Sequence, residues 1–419
     1  MSVATAQPTN ISETHVWPEE GATRIPDWVY TSQEIYELEV ERIFRGKTWN
    51  YVALEVEIPK PGDFKRSHVG PISVLVTRCK DGSIAVVENR CAHRGAEFCR
   101  VHRGNTPHLV CPYHQWTYDL NGTLIGVPFR RGSDKQGGMP STFRTEDHGL
   151  RKLKVATRGG TIFASFAQDI ESLEDYIGPE VLEDFDATFD GRKLRVIGYY
   201  THSVPANWKM YVENLKDPYH ATLLHSYLVT FGLMVAGNRS KMARDAVGRH
   251  GSMASAKPEK LNLDSEKKAE LRQFKSSMQL NDGRVVEYIK EMNSPWSAAF
   301  ETIWPTLIVQ KELNTLGMRH VVPHGPNEFI IQWTLFGYDD DTEEMVRHRL
   351  RQANLIGPAG LIGLEDHEVL KWVQTSVRKP DTRAGVVEMG AAADGVTTTM
   401  LTEGAIRSMY RHWRDVMGV

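Results

Sequence analysis

Between Cys91 and His114 the chain reads CAHRGAEFCRVHRGNTPHLVCPYH, in which Cys91-x-His93 and Cys111-x-x-His114 form two arms separated by seventeen residues. Each arm joins one thiol to one imidazole. A structural zinc site also takes two Cys and two His, but zinc modules usually keep the Cys pair together and the His pair together. Mixed arms suit a different division, with two thiolates on one iron and two imidazoles on the other iron of a [2Fe-2S] cluster. Two loops of one small domain must then meet around that cluster.

This donor set is that of a Rieske centre, whose imidazoles raise the reduction potential above that of an all-cysteine cluster. Rieske proteins of respiratory complexes often carry an extra Cys in each loop. Here Tyr113 stands between Cys111 and His114, so no loop disulfide is expected, and Cys79 and Cys99 read as small buried apolar residues. With only four cysteines, and an opening MSVATAQPTNISETH that lacks a basic region followed by an apolar core, the chain reads as a protein of the reducing cytoplasm. No run of about eighteen apolar residues is present to span a membrane. A net charge of -3 without a long basic run argues against a nucleic-acid partner.

At 419 residues the chain exceeds one ordinary core, so two or three domains are expected. Residues 1–46 read as a polar segment followed by a helix: Thr31-Ser32-Gln33-Glu34 fits a capping box, Tyr36, Val40, Ile43 and Phe44 follow at helical spacing, and Gly46 stops the run. Residues 47–155 show short strands, with Asp81-Gly82 and Asn121-Gly122 placed where hairpin turns want positive backbone angles. The cluster loops are expected on hairpin tips of this small all-β domain. Residues 156–419 mix strands (195–203, 307–312, 318–322, 329–336) with helices (206–229, 341–355, 363–373), an α+β pattern. Between Arg239 and Arg284 the composition turns charged and poor in large apolar residues, which reads as an exposed excursion, either a lid or a solvated loop.

A second constellation lies in NWKMYVENLKDPYHATLLH, where Asp217-x-x-His220-x-x-x-x-His225 places two imidazoles on one expected helix. Two His and one carboxylate form the open-sided set of non-haem Fe(II) oxygenases, leaving positions for dioxygen and substrate. On an ideal helix, at about 100° per residue, the two rings would point roughly 140° apart, so a shared metal requires a break or a π-type turn between them. A carrier of electrons would need only the cluster domain; an electron-consuming iron beside it makes sense of both constellations.

Taken together, these stretches resemble the large (alpha) subunit of the Rieske non-haem iron aromatic-ring-hydroxylating oxygenases. The likeness covers nearly the whole chain and lies nearest to salicylate 5-hydroxylase and anthranilate 1,2-dioxygenase large subunits. It rests on NRCAHRG, CPYHQW, GVPFRRG, ENLKDPYH, RLRQANLIGPAG and MYRHWRDVMGV. The resemblance implies a larger catalytic domain of helix-grip type, and it places family positions on Asn207-Trp208-Lys209, Glu213-Asn214, Asp217, His220 and His225. It makes Asp366, after GPAGLIGLE, the third iron ligand, although the family usually shows Asp-Asp where this chain has Glu365-Asp366; Glu365 and His367 are the alternatives. Asn214 and Asp217 are expected in catalysis and Leu215 in substrate contact.

The resemblance further implies a small aromatic acid as substrate, electrons from NADH through a reductase with or without a ferredoxin, and a trimer of alpha subunits accompanied by small beta subunits. In that trimer Asp217 would link the cluster of one chain to the iron of the next. A neutral or N-heteroaromatic substrate, or a pure electron-transfer role, are the rival readings. Arg319 and Arg407, each set among apolar neighbours, are the candidates to hold the acid's carboxylate.

Overall fold

The computed structural model describes residues 15–134, 136–257, 272–379, 383–390 and 396–419. A short ribbon pairs β1 (Arg24–Pro26) with β19 (Ala384–Val386), tying the beginning of the chain to its end. Ser32 opens the Gln33–Glu39 helix by accepting from the Ile35 N–H, so the cap is Ser32 and not the Thr31-to-Glu34 box. That helix widens into a π-turn at Val40–Phe44, where Ile43 and Phe44 are fully buried.

The first large sheet contains β2 (Asn50–Leu54), β3 (Asp63–Val69), β4 (Ile72–Arg78), β5 (Ile84–Glu88), β6 (Arg103–Asn105), β10 (Lys152–Arg158) and β11 (Thr161–Ser165), in the order β2-β11-β10-β5-β4-β3-β6. A small three-stranded sheet of β7 (Leu109–Val110), β8 (Thr117–Tyr118) and β9 (Leu124–Gly126) sits beside it. Gly82 and Gly122 turn their hairpins at φ 85° and 80°, as the Asp-Gly and Asn-Gly pairs predict. The first sheet runs on to Ser165, ten residues past the expected boundary at 155.

The second sheet is seven-stranded and antiparallel: β12 (Leu194–Val204), β13 (Ser240–Arg244), β14 (Gly251–Ser255), β15 (Ala298–Ile303), β16 (Leu307–Glu312), β17 (Thr315–Pro323) and β18 (Phe329–Tyr338), in the order β12-β18-β17-β16-β15-β14-β13. One face packs on the Pro179–Phe189 helix and on aromatic residues of the first sheet, Tyr51 and Phe163 among them. The other face carries the helices that build the site. The Arg239–Arg284 stretch is therefore only partly an excursion: Ser240–Arg244 and Gly251–Ser255 are paired strands at one side of the sheet, and most of the charged run that follows, 258–271, lies outside the described residues.

The expected 206–229 helix is three helices, Trp208–Asn214, Pro218–Leu224 and Ser226–Thr230. The Asn207-Trp208-Lys209 stretch anchors the first of them. Asn207 caps it and donates to the carbonyls of Tyr30 and Pro326. Glu39, fully buried, accepts from the Trp208 and Trp413 indoles and lies 2.7 Å from Lys209 Nζ. One buried carboxylate thus joins the N-terminal helix, the site helix and the C-terminal Gly404–Met417 helix.

Candidate metal centres and the adjoining pocket

The two Cys–His arms form loops of the same design. In each, the Cys carbonyl accepts from the N–H four residues on, Gly95 and Gln115, at 2.9 Å, and both of those residues sit at positive φ. The Cys111 arm lies at a hairpin tip between β7 and β8, whereas the Cys91 arm lies in the longer connection from β5 to β6, so only one arm is on a hairpin tip. Cys91 and Cys111 are buried, while His93 and His114 are half-exposed with ring centroids 4.5 Å apart. Trp116 stacks on His93, and the Tyr118 hydroxyl lies 3.3 Å from Cys91 Sγ. His93 Nδ1 is buried without a hydrogen-bond partner, the state of a ring nitrogen shaped for a metal.

Four donors around one zinc ion would crowd within a single coordination sphere. Among the described residues, the only group of three or more His, Cys, Asp or Glu side chains with donor atoms within 4.8 Å of one another is a different one, His220, His225 and Asp366. The Cys–His set is spread wider than one ion allows, as a two-iron cluster requires. All four cysteines are free; Cys79 and Cys99 are buried among apolar neighbours, and Asn89 clasps the Cys99 backbone through both its amide atoms.

Asp217 caps the Pro218–Leu224 helix, its Oδ1 accepting from the N–H groups of Tyr219 and His220, and its Oδ2 lies 3.3 Å from His220 Nδ1. The helix ends at His225, which takes an extended conformation (φ -89°, ψ 93°) and begins the next helix. This is the break that two converging imidazoles demand. Asp366 comes from the Leu361–Val377 helix, whose start is pressed so close to the preceding helix that a Cβ on Gly360 or Gly363 would collide with the carbonyls of Leu355 or Gly357. Asp366 Oδ1 lies 3.6 Å from His220 Nε2 and 3.2 Å from His225 Nε2. Glu365 does not join the trio; its Oε2 is 2.9 Å from His225 Nδ1, on the far side of the ring. His367 pairs instead with His202, Nε2 to Nε2, at 3.3 Å.

The electrostatics fit a cation. Burial lowers the pKa of His220, yet hydrogen bonds to Asp217 and Asp366 overcome it and lift the imidazole to about 10. His225 is raised in the same way by Asp366 and Glu365, and Asp366, despite burial, is held well below the carboxylate range by the two imidazoles. Such a site carries protons where a metal would sit and releases them on binding one. Three protein donors leave coordination positions open.

Arg319 lines the pocket that these residues border. It donates Nε–H to Gln310 and Nη1–H to Tyr211, at 2.6 and 3.0 Å, and lies over the Trp333 ring. Leu215 and Asn214 line the same pocket, Asn214 Nδ2 lying 3.2 Å from both His220 Nε2 and Asp366 Oδ1. Arg407 is elsewhere: its guanidinium donates to the backbone carbonyls of Val387, Met389 and Gly390, so the pairing of its charge with a substrate carboxylate is not supported. The polar strip Gln310–Glu312 on β16 went unnoticed in the sequence. Its signal was there, two long polar side chains at alternate positions in LIVQKE, which share a face and point into the pocket side. Burial raises the pKa of Glu312, although Arg319 and His225 pull it down.

Residues 48–141 match the Rieske [2Fe-2S] domain family, and residues 191–419 match the family of the ring hydroxylating alpha subunit catalytic domain. The large oxygenase component of salicylate 5-hydroxylase from Ralstonia sp. is 47% identical, with 96% of each chain covered. The anthranilate 1,2-dioxygenase large subunit of Burkholderia cepacia is 39% identical, covering 97% of this chain and 96% of that one. Among solved structures, naphthalene 1,2-dioxygenase from Rhodococcus sp. shares the fold at a TM-score of 0.77, with 24% identity and 94% of both chains covered. The chain belongs to the Rieske non-haem iron ring-hydroxylating oxygenases as a large (alpha) subunit, an oxidoreductase of a family built on a [2Fe-2S] cluster and a mononuclear iron.

Proposed function

We propose that this chain is the terminal oxygenase component of a system that hydroxylates the ring of a small aromatic carboxylic acid, using dioxygen and electrons delivered from NADH by a reductase, with or without a ferredoxin. The observation that carries the reading is Arg319, a buried guanidinium in the same pocket as His220, His225 and Asp366. Relatives named for salicylate, anthranilate and terephthalate support it.

In this reading Cys91, His93, Cys111 and His114 hold the cluster, and His220, His225 and Asp366 hold the iron. When bound, the cluster supplies single electrons and the iron supplies open positions for dioxygen. Arg319 has five N–H donors, of which Gln310 and Tyr211 take two, fixing the plane of the fork and leaving three for a carboxylate. A planar fork matches a carboxylate through charge-assisted hydrogen bonds and so orients the ring. Leu228, Met234, Phe300, Trp333, Ile356 and Ile362 wall the ring in and exclude water. Glu312 lines the same pocket, where burial raises its pKa and Gln310 donates to it at 2.9 Å. Glu365 orients His225 from behind, and Asp217 does the same for His220. In an alpha trimer, with or without beta subunits, Asp217 would stand between the cluster held by one subunit and the iron held by the next.

The test is turnover under isotopically labelled dioxygen with a panel of small aromatic acids and their neutral amides, read by product mass. The reading expects label in a ring hydroxyl of an acid and little product from its amide. Labelled product from the amides alone would overturn the substrate class.

A further inference from the structure

Glu312, in the wall of the Arg319 pocket, is a buried carboxylate short of hydrogen-bond donors. It is 6% exposed and lines the pocket together with His220, His225, Asp366 and Arg319. Among the described residues its one hydrogen-bond partner is Gln310, whose Nε2 donates to Oε2 at 2.9 Å, and it forms no ion pair with a Lys or Arg. Other buried carboxylates are better supplied. Glu57 accepts from Lys65, the Leu54 N–H and the Tyr199 hydroxyl, and Glu39 accepts from two indoles with Lys209 beside it. A carboxylate offers about four acceptor positions, and burying it with most of them empty is costly.

The wall itself fixes what Glu312 presents. Strand register sets Gln310 and Glu312 on one face of β16, and Arg319 of β17, opposite Ile308, shares that face. Arg319 donates Nε–H to Gln310 Oε1 at 2.6 Å; a guanidinium has no acceptor, so the amide must turn its oxygen to Arg319 and its NH2 to Glu312. Oε2 is thereby held as an acceptor. Oε1 has no protein donor and is not sealed from solvent, so it opens to the pocket. An iron would not claim it, because among the described residues the donors gathered for one ion are those of His220, His225 and Asp366. One wall thus carries a guanidinium with three free N–H groups and, beyond the Gln310 amide, a carboxylate oxygen in want of a donor.

We propose that Glu312 selects, among aromatic acids, those that bear a hydroxyl or amino substituent, which donates to its free oxygen while the acid's own carboxylate lies on Arg319. The proposal rests on the reading of the pocket as one for aromatic acids and deepens it by naming the second group. An unsubstituted acid leaves Glu312 without its donor, and a methoxy substituent brings the bulk of the hydroxyl without the hydrogen.

The experiment is equilibrium dialysis, without dioxygen, of the iron-loaded protein against benzoate and the ring isomers of hydroxy-, amino- and methoxybenzoate, for the natural chain, Glu312→Gln and Arg319→Gln. Intact visible spectra of the cluster certify each variant. In Glu312→Gln the new amide must accept from Gln310, so it turns a donor to the pocket in place of the acceptor. The natural chain is expected to bind at least one hydroxy or amino isomer about ten- to a hundredfold more tightly than benzoate and than the matching methoxy acid. That margin should vanish in Glu312→Gln and persist in Arg319→Gln at weaker overall affinity. A margin in the hydroxy or the amino series alone supports the proposal and identifies the donor. Equal binding of hydroxy, amino and methoxy acids by the natural chain, or a margin kept in Glu312→Gln, overturns the proposal and leaves the aromatic-acid reading standing. A margin lost in Glu312→Gln, with affinities untouched in Arg319→Gln, supports Glu312 and overturns the role of Arg319. No binding of any acid to the natural chain overturns both.

Discussion

Asp217 serves the site twice, one carboxylate oxygen holding the helix start and the other facing His220 Nδ1. Asparagine keeps the cap but loses the charge. Asp217→Asn should retain three irons per chain and an unchanged cluster spectrum while turnover falls by orders of magnitude. Cluster reoxidation by dioxygen and substrate at the natural rate would reduce Asp217 to a capping residue. Arg319→Gln should lower kcat/KM for an aromatic acid by roughly thirty- to a thousand-fold, the equivalent of about 2 to 4 kcal/mol for a buried charged contact, and should change the neutral amide little. At this scale the donor atoms were legible because metals demand particular residue types at particular spacings. Arg319 and Arg407 were not distinguishable, since both are arginines among apolar neighbours; only the fold shows one donating to Gln310 and Tyr211 and the other to backbone carbonyls.

Among the elements, the irregular helix at His225 was legible from geometry alone, because two rings five residues apart cannot converge on an unbroken helix. The last two strands at one side of the sheet, β14 and the edge strand β13, were not. SKMAR and GSMAS contain no β-branched residue, and their place in the sheet comes from pairing, β14 with β15 and β13 with β14, and not from their own propensity. Glu39 shows the same lesson in the other direction: an ordinary helix acid in the sequence, it holds three elements together from a fully buried position. Glu39→Ala leaves Lys209 buried without its partner and should cost about 3 to 5 kcal/mol, measured by denaturant unfolding of the catalytic domain. The site helices also set a pH dependence. With His220 raised to about 10, its imidazole carries a proton across pH 6 to 8 in the metal-free protein, and Asp366 and Glu365 shift His225 in the same direction against its burial. Metal affinity should therefore rise with pH, about tenfold per unit for each proton displaced. Titration of the iron-stripped protein with Co(II) at pH 6, 7 and 8 measures this, and a flat affinity would contradict the geometry.

In the whole molecule, the order of cluster domain and catalytic domain was readable because each carries its own metal-binding stretch. Assembly was less so, since it depends on surfaces that have no spacing rule. The exposed imidazole edges and the 59% exposed Tyr113, whose ring lies 3.8 Å from that of His114, give the cluster an open face suited to a neighbour. A closed ring of three large subunits, head to tail, should lose specific activity on dilution to monomers; a fully active monomer in matched sedimentation and activity runs would rule out transfer between subunits. The central claim is that one chain holds two separate iron centres, and iron content with EPR of the reduced cluster, on the natural chain beside Asp366→Ala, tests it most directly. Three irons per chain falling to two, with the Rieske signal intact, is the predicted result; three irons in both, or loss of the cluster signal with Asp366, would contradict it.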